Sequence, residues 1–228
     1  YTAVGAGAPV VRLLQIAENR GTLAVADGLR PAIDGTLMLY IDKGPANTTI
    51  NGFFYLGVLL VDEVRTVAAP LPPPPPPPPA VTVTMLRRVA IDVGGGRPTP
   101  APWNNLLWPA LSLAALKDDA GLATPFELTV TEPFLNNNGL GVDAASGAIP
   151  ASALVDFQFG GANFQGQSAT RAAIQLSGLD PTATYTLSMG ASRTGVTDNR
   201  ETRYTAVGAG APVVRLLQIA ENRGTLAV

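Results

Sequence analysis

Eight consecutive prolines, Pro72 to Pro79, constrain this chain more than any other feature. Proline holds φ at about −65° and has no amide proton to donate, so the run can join neither a helix nor the interior of a sheet. It predicts polyproline II, and at roughly 3.1 Å per residue it would make a stiff spacer of about 25 Å. Docking to a proline-recognising domain is the functional alternative to a plain spacer. Elsewhere 24 Gly and the remaining Pro residues break the chain into short stretches, which leaves little room for long helices.

A second feature sets the organisation. The segment YTAVGAGAPVVRLLQIAENRGTLAV fills residues 1–25 and returns without a substitution at 204–228, an offset of 203 residues. Exact self-similarity at a fixed offset is the mark of a tandem array, here one period plus the start of the next. Taken with the proline run, it predicts that residues 1–66 are the C-terminal part of one repeat. Residues 67–82 are then a polyproline linker, and residues 83–228 the N-terminal and middle part of the next repeat. A natural unit would run from Val83 through a segment equivalent to 1–66, about 185 residues, within the range of one β-sandwich. With no initiator Met, Tyr1 reads as an internal cut in a longer or processed polypeptide.

Periodicity within the segments is that of strands. In TYTLSMGAS, Tyr185, Leu187 and Met189 alternate with Thr and Ser; in DGTLMLYIDKG, Leu37, Leu39 and Ile41 alternate in the same way. Strands are predicted at 22–26, 36–42, 54–62, 85–93, 126–132, 153–159, 171–176, 184–191, 202–207 and 213–219, separated by turn signals such as LDPTA, NNNG and DG. One helix is expected at most, over residues 104–121, limited by Pro109. The fold class is therefore all-β, an antiparallel sandwich in tandem units joined by a polyproline II spacer.

Composition removes whole classes of chemistry. There is no Cys and no His, which excludes disulfides, thiolate nucleophiles, imidazole bases and the usual zinc and copper sites. Charged residues are 14% and the net charge is −2, so no basic field exists to attract nucleic acid or anionic lipid. The apolar run 53–61 is far too short to span a bilayer as a helix. Asp180, Asp198 and Glu201 show no spacing that fixes the carboxylate pair of a glycosidase. Asp180 reads instead as a turn cap, and Asp198, Arg200, Glu201 and Arg203 as cross-strand pairs. VGGGRP at 93–98 has the glycines of a phosphate-binding loop without its Lys and helix, and reads as a turn. The chain is not expected to be an enzyme and requires no cofactor.

Three further groups of residues merit attention. Any metal would be a hard, oxygen-liganded ion such as calcium, and Asp198, Asn199 and Glu201 form such a loop in outline. Trp103, Trp108, Tyr55 and Phe164 could stack on sugar rings, the alternative being burial. Asn47-Thr48-Thr49 is a glycosylation sequon, expected on a surface loop.

The stretch 176–210, LSGLDPTATYTLSMGASRTGVTDNRETRYTAVGAG, resembles a galactose-binding-like jelly-roll module of secreted bacterial surface proteins. VAIDVGGG with WNNL, AIDGTLMLYIDKG and NGFFYLGVLLVDEV resemble further parts of the same module. The order of these motifs in the module is recovered only if residues 1–66 follow residue 203. The resemblance implies a jelly roll, usually an accessory module of a secreted or surface protein.

These readings converge on a structural subunit of an extracellular or cell-surface filament, with copies of itself as head-to-tail partners. A carbohydrate-binding accessory or adhesin module, with surface glycans as partners, is the alternative. The repeated segment is the expected inter-unit strand. Val213, Leu216, Leu217 and Ile219 in one copy, and Val10, Leu13, Leu14 and Ile16 in the other, each contribute roughly 1.5–3 kcal/mol when buried. Because identical strands would compete for one edge, copy 204–228 is expected in the sandwich begun at Val83. Copy 1–25 is expected in the preceding unit or a neighbouring chain.

Overall fold

The computed structural model describes residues 13–14, 23–68 and 81–219. Of these described residues 51% are strand and 3% helix, so the fold is nearly all β. In chain order the strands are β1 (Leu13–Leu14), β2 (Ala24–Leu29), β3 (Leu37–Lys43), β4 (Phe54–Leu56), β5 (Val58–Ala68), β6 (Val81–Gly94), β7 (Asn104–Leu107), β8 (Ser112–Leu113), β9 (Glu127–Glu132) and β10 (Asn136–Asn138). The short helix α1 (Ala151–Val155) follows, then β11 (Phe157–Phe164), β12 (Gln167–Ala169), β13 (Arg171–Ser177), β14 (Thr184–Gly190), β15 (Glu201–Val207) and β16 (Val213–Gln218).

Two large sheets carry the fold. One has the order β1-β16-β15-β3-β13-β9-β8, the other β2-β14-β5-β6-β7. A third, smaller sheet has the order β10-β11-β12, with β4 also paired to β11. The period-2 alternation places Leu37, Leu39 and Ile41 of β3, Val89, Ile91 and Val93 of β6, and Tyr185, Leu187 and Met189 of β14 in one continuous core. The opposite face of the five-stranded sheet is also covered. Val58 and Leu60 of β5 pack with Ile149, Ala153 and Leu154 around α1, and Trp103 closes that cluster. Among the described residues no helix is long and apolar enough to cross a membrane.

The expected strand 54–62 is divided at Gly57 into β4 and β5, which lie in different sheets, and β1, β10 and β12 were not expected. Two expected elements also differ in kind. Residues 104–121 form no helix: Asn104–Leu107 is β7, parallel to β6 in the register Ile91↔Asn104 to Gly94↔Leu107. The Asn104 side chain holds this arrangement, accepting from Lys117 N–H at 2.8 Å and donating to Lys117 O at 2.8 Å and Ala90 O at 3.0 Å. The expected strand 153–159 begins as helix, because Ala153, Leu154 and Val155 are buried in succession, a pattern that one helical turn lying on a sheet satisfies. Strand geometry resumes at Phe157.

The division of the chain at the proline run does not describe how its strands pair. Strand β3 lies between β13 and β15, and β5 between β14 and β6, so strands from 24–68 have both edges filled by strands from 81–219. Central strands cannot belong to a separate body. Pro72–Pro79 itself lies outside the described residues. Its flanks are register partners, Ala68↔Val81, so it joins two neighbouring strands at one end of the antiparallel β5–β6 pair.

Candidate functional site

The repeated segment lies at an edge of the seven-stranded sheet. Strand β16 pairs antiparallel with β15 from Glu201↔Gln218 to Ala206↔Val213. Leu216, Leu217 and Ile219 are buried, and Val213 is half-buried against the core. Arg215 ties this strand to the opposite sheet: its guanidinium donates to Val25 O and, at 3.1 Å, to Asp27 Oδ1. A saturated strand on one side leaves a row of backbone groups on the other.

That outer edge receives β1, which pairs with β16 in parallel, Leu13↔Leu216 and Leu14↔Leu217. These partners are the equivalent positions of the two identical segments, so each residue lies beside its own copy. Leu13–Leu14 of one copy and Val213–Gln218 of the other therefore lie in one sheet, where the expectation was that the copies compete for a single slot. The physical reason is that an edge strand consumes one edge and presents another. Val10 and Ile16 lie outside the described residues.

Other sequence-predicted residues have different roles. Tyr55 is 2% exposed, with Phe157 edge-on at 5.1 Å, so it has no face for a sugar. Burial pushes its hydroxyl up to about 12, while Arg200, bonded to it, pulls the other way. Phe164 completes an aromatic group with Phe53 and Phe159, at 5.5 and 5.4 Å. Trp103 and Trp108 are half-buried against different apolar clusters and form no joint platform.

Asn47 is 5% exposed and is not on a surface loop. Its Nδ2, the atom a glycan would occupy, donates to Phe53 O at 2.6 Å and Glu201 O at 2.9 Å. Its Oδ1 accepts from Thr49 N–H and Oγ1–H. The sequon residues thus serve as a buried clamp between the loop at 47–53 and β15.

The calcium outline at Asp198, Asn199 and Glu201 is taken up by protein donors. Asp198 accepts two bonds from Arg200, Asn199 Oδ1 accepts from Glu201 N–H, and Glu201 Oε1 accepts from Ala46 N–H. Asp180 caps its turn through Thr182, as expected. An open cleft of about 520 Å³ on the seven-stranded sheet is lined by Asp42, Lys43, Glu132, Thr170, Arg171 and Arg203. There Arg171 holds Glu132 with two bonds and Arg203 holds Asp42 at 2.7 Å, so the carboxylates are already matched by cations. Glu132 is accordingly held below the usual carboxylate range, chiefly by its bonds to Arg171.

Sequence reasoning missed one arrangement. The backbone N–H groups of Gly95, Gly96 and Arg97 converge on Asp156 Oδ2 at 2.9, 3.0 and 3.3 Å. The three-glycine turn is an anion cradle, filled by the chain's own carboxylate. Beside it, Asp92 Oδ2 accepts from Thr99 N–H at 3.0 Å and Thr99 Oγ1–H at 2.8 Å. Burial pushes Asp92 up to about 7, the bond from Thr99 opposes this, and the like charge of Asp156 adds to the rise. The glycines were the visible signal; nothing in the sequence indicates which carboxylate they would meet.

Comparison with known protein families, curated proteins and solved structures finds no match to this chain.

Proposed function

We propose that the protein is a structural subunit of an extracellular or cell-surface filament, built from jelly-roll-like sandwich units whose edges are completed by the matching strand of another unit. The observation that carries this reading is the pairing of the two identical segments, Leu13↔Leu216 and Leu14↔Leu217, in parallel and in register. Parallel, in-register pairing of identical sequence repeats without limit, because each added strand presents the edge that it has just covered. Backbone hydrogen bonds supply the attraction, and the buried face of β16 sets the register. With no Cys and no His, the contacts between units rest on backbone pairing and apolar burial.

The test is assembly. Sedimentation velocity over a concentration series, with negative-stain microscopy of the same samples, is expected to show particles that lengthen with concentration. A synthetic peptide of the 25-residue segment, added in trans, is expected to cap the edge and shorten them. A chain that stays monomeric across the series, with or without the peptide, would sink the filament reading. Saturable binding on a glycan array by that monomer would favour the carbohydrate-binding alternative.

A further inference from the structure

Three buried side-chain oxygens among the described residues have no hydrogen-bond partner: Asp92 Oδ1, Asp156 Oδ1 and Ser192 Oγ. Their residues are 0%, 3% and 1% exposed. A buried polar atom without a partner costs about 1–3 kcal/mol, and more when it is charged, so each needs a physical account.

The three belong to segments that meet around one residue, Gly57. Its carbonyl accepts from Val93 N–H at 2.7 Å, next to Asp92, and its N–H donates to Gly190 O at 2.8 Å, two residues before Ser192. A side chain at Gly57 would lie 3.0 Å from Asp156 O and 3.6 Å from Ala191 Cα. Across the sheet, Val58 is the register partner of both Asp92 and Gly190. Cross-strand partners share a face, so Asp92 projects to the side of the five-stranded sheet that Val58 presents to α1. Asp156 follows directly at the end of that helix, and Ser152 of the helix reaches Thr99 Oγ1 at 2.9 Å.

Asp92 and Asp156 are like charges that act on one another at this junction. The neighbouring charge that acts on Asp92 is that of Asp156. Arg97 lends its backbone N–H to Asp156 but sends its guanidinium outward to Asp143 at 3.5 Å. In each carboxylate one oxygen is committed, to Thr99 or to the amide cradle, and the other is left open. The committed bonds orient the open oxygens, as outer-sphere donors do for ligands of a metal.

We propose that this junction is a site for a hard divalent cation of the calcium class, held between the open oxygens of Asp92 and Asp156, with Ser192 Oγ as a neutral oxygen beside them. Two carboxylates offset a divalent charge, and a set made only of oxygens suits calcium over the transition metals. Such an ion would lock the 95–103 loop to the end of α1. The site is distinct from the β16 edge, and its occupancy does not depend on filament formation.

The experiment uses the full chain, stripped with chelator and dialysed. Calcium chloride is titrated by calorimetry at pH 8, and thermal unfolding is followed with and without the ion. One calcium per chain and a rise of several degrees in the melting temperature are expected. Asp92→Asn is expected to abolish the response and Ser192→Ala to weaken binding several-fold, while Asp143→Asn, at an exposed carboxylate, is expected to retain it. Absence of both binding and a melting shift in the wild-type chain would overturn the proposal. So would undiminished calcium binding by Asp92→Asn. Should that variant fail to fold, the wild-type titration alone decides.

Discussion

At the scale of single residues, close approach decides which positions tolerate change. Gly94 ends β6 where Asp156 is pinned by three amides. A Cβ there would lie 2.3–2.6 Å from the carboxylate atoms of Asp156. The carboxylate cannot swing away without giving up its cradle, so Gly94→Ala is expected to cost about 1–3 kcal/mol by urea denaturation. Two residues on, Gly96 has open space where a Cβ would lie, and Gly96→Ala is expected to stay within about 0.5 kcal/mol of the parent. Equal costs at the two positions would mean that the carboxylate does not hold the loop. Asn47 shows the same principle in polar form. Asn47→Ala would strip partners from the Phe53 and Glu201 carbonyls and from Thr49 N–H, and a loss of about 3 kcal/mol is expected in the same measurement.

Individual elements matter through what they cover. Strand β16 lies between β1 and β15 in the seven-stranded sheet and inserts Leu217 into the main core. Leu217→Ala is expected to cost about 2–5 kcal/mol, depending on how far the neighbourhood collapses. A cost under about 1 kcal/mol would show that β16 is not an integral strand. The β5–β6 pair makes a different point. Because Ala68 and Val81 are already register partners, the connection between them has no distance to span. Replacing Pro72–Pro79 with Gly and Ser at equal length is therefore expected to hold or raise stability in urea denaturation, since a flexible connection returns between adjacent strand ends more readily than a stiff one. A large loss would restore the strut reading of the prolines.

For the whole molecule, each large sheet combines strands from 24–68 and 81–219, and they share one core. Neither segment can unfold while the other keeps its sheets intact. Calorimetry is expected to show a single cooperative transition, with calorimetric and van't Hoff enthalpies in agreement. Two resolved transitions would mean that the proline run separates two bodies after all.

Local pattern was enough to determine the strand class and most strand positions. Alternation in LMLYIDK or TYTLSMG is a property of side chains two apart, and turn residues mark the ends. It failed where a local preference met a tertiary partner: Asn104–Leu107 became a strand because the edge of β6 was open to it, and Asn47 became a clamp because Glu201 lies next to it in space. The duplication was plain in the sequence, but which edge each copy would meet was not, because register is a relation between segments. The meeting of Asp92, Asp156 and Ser192 around Gly57 was likewise decided only by tertiary structure. Burial and electrostatic coupling depend on distances in space, and sequence separation carries no information about them.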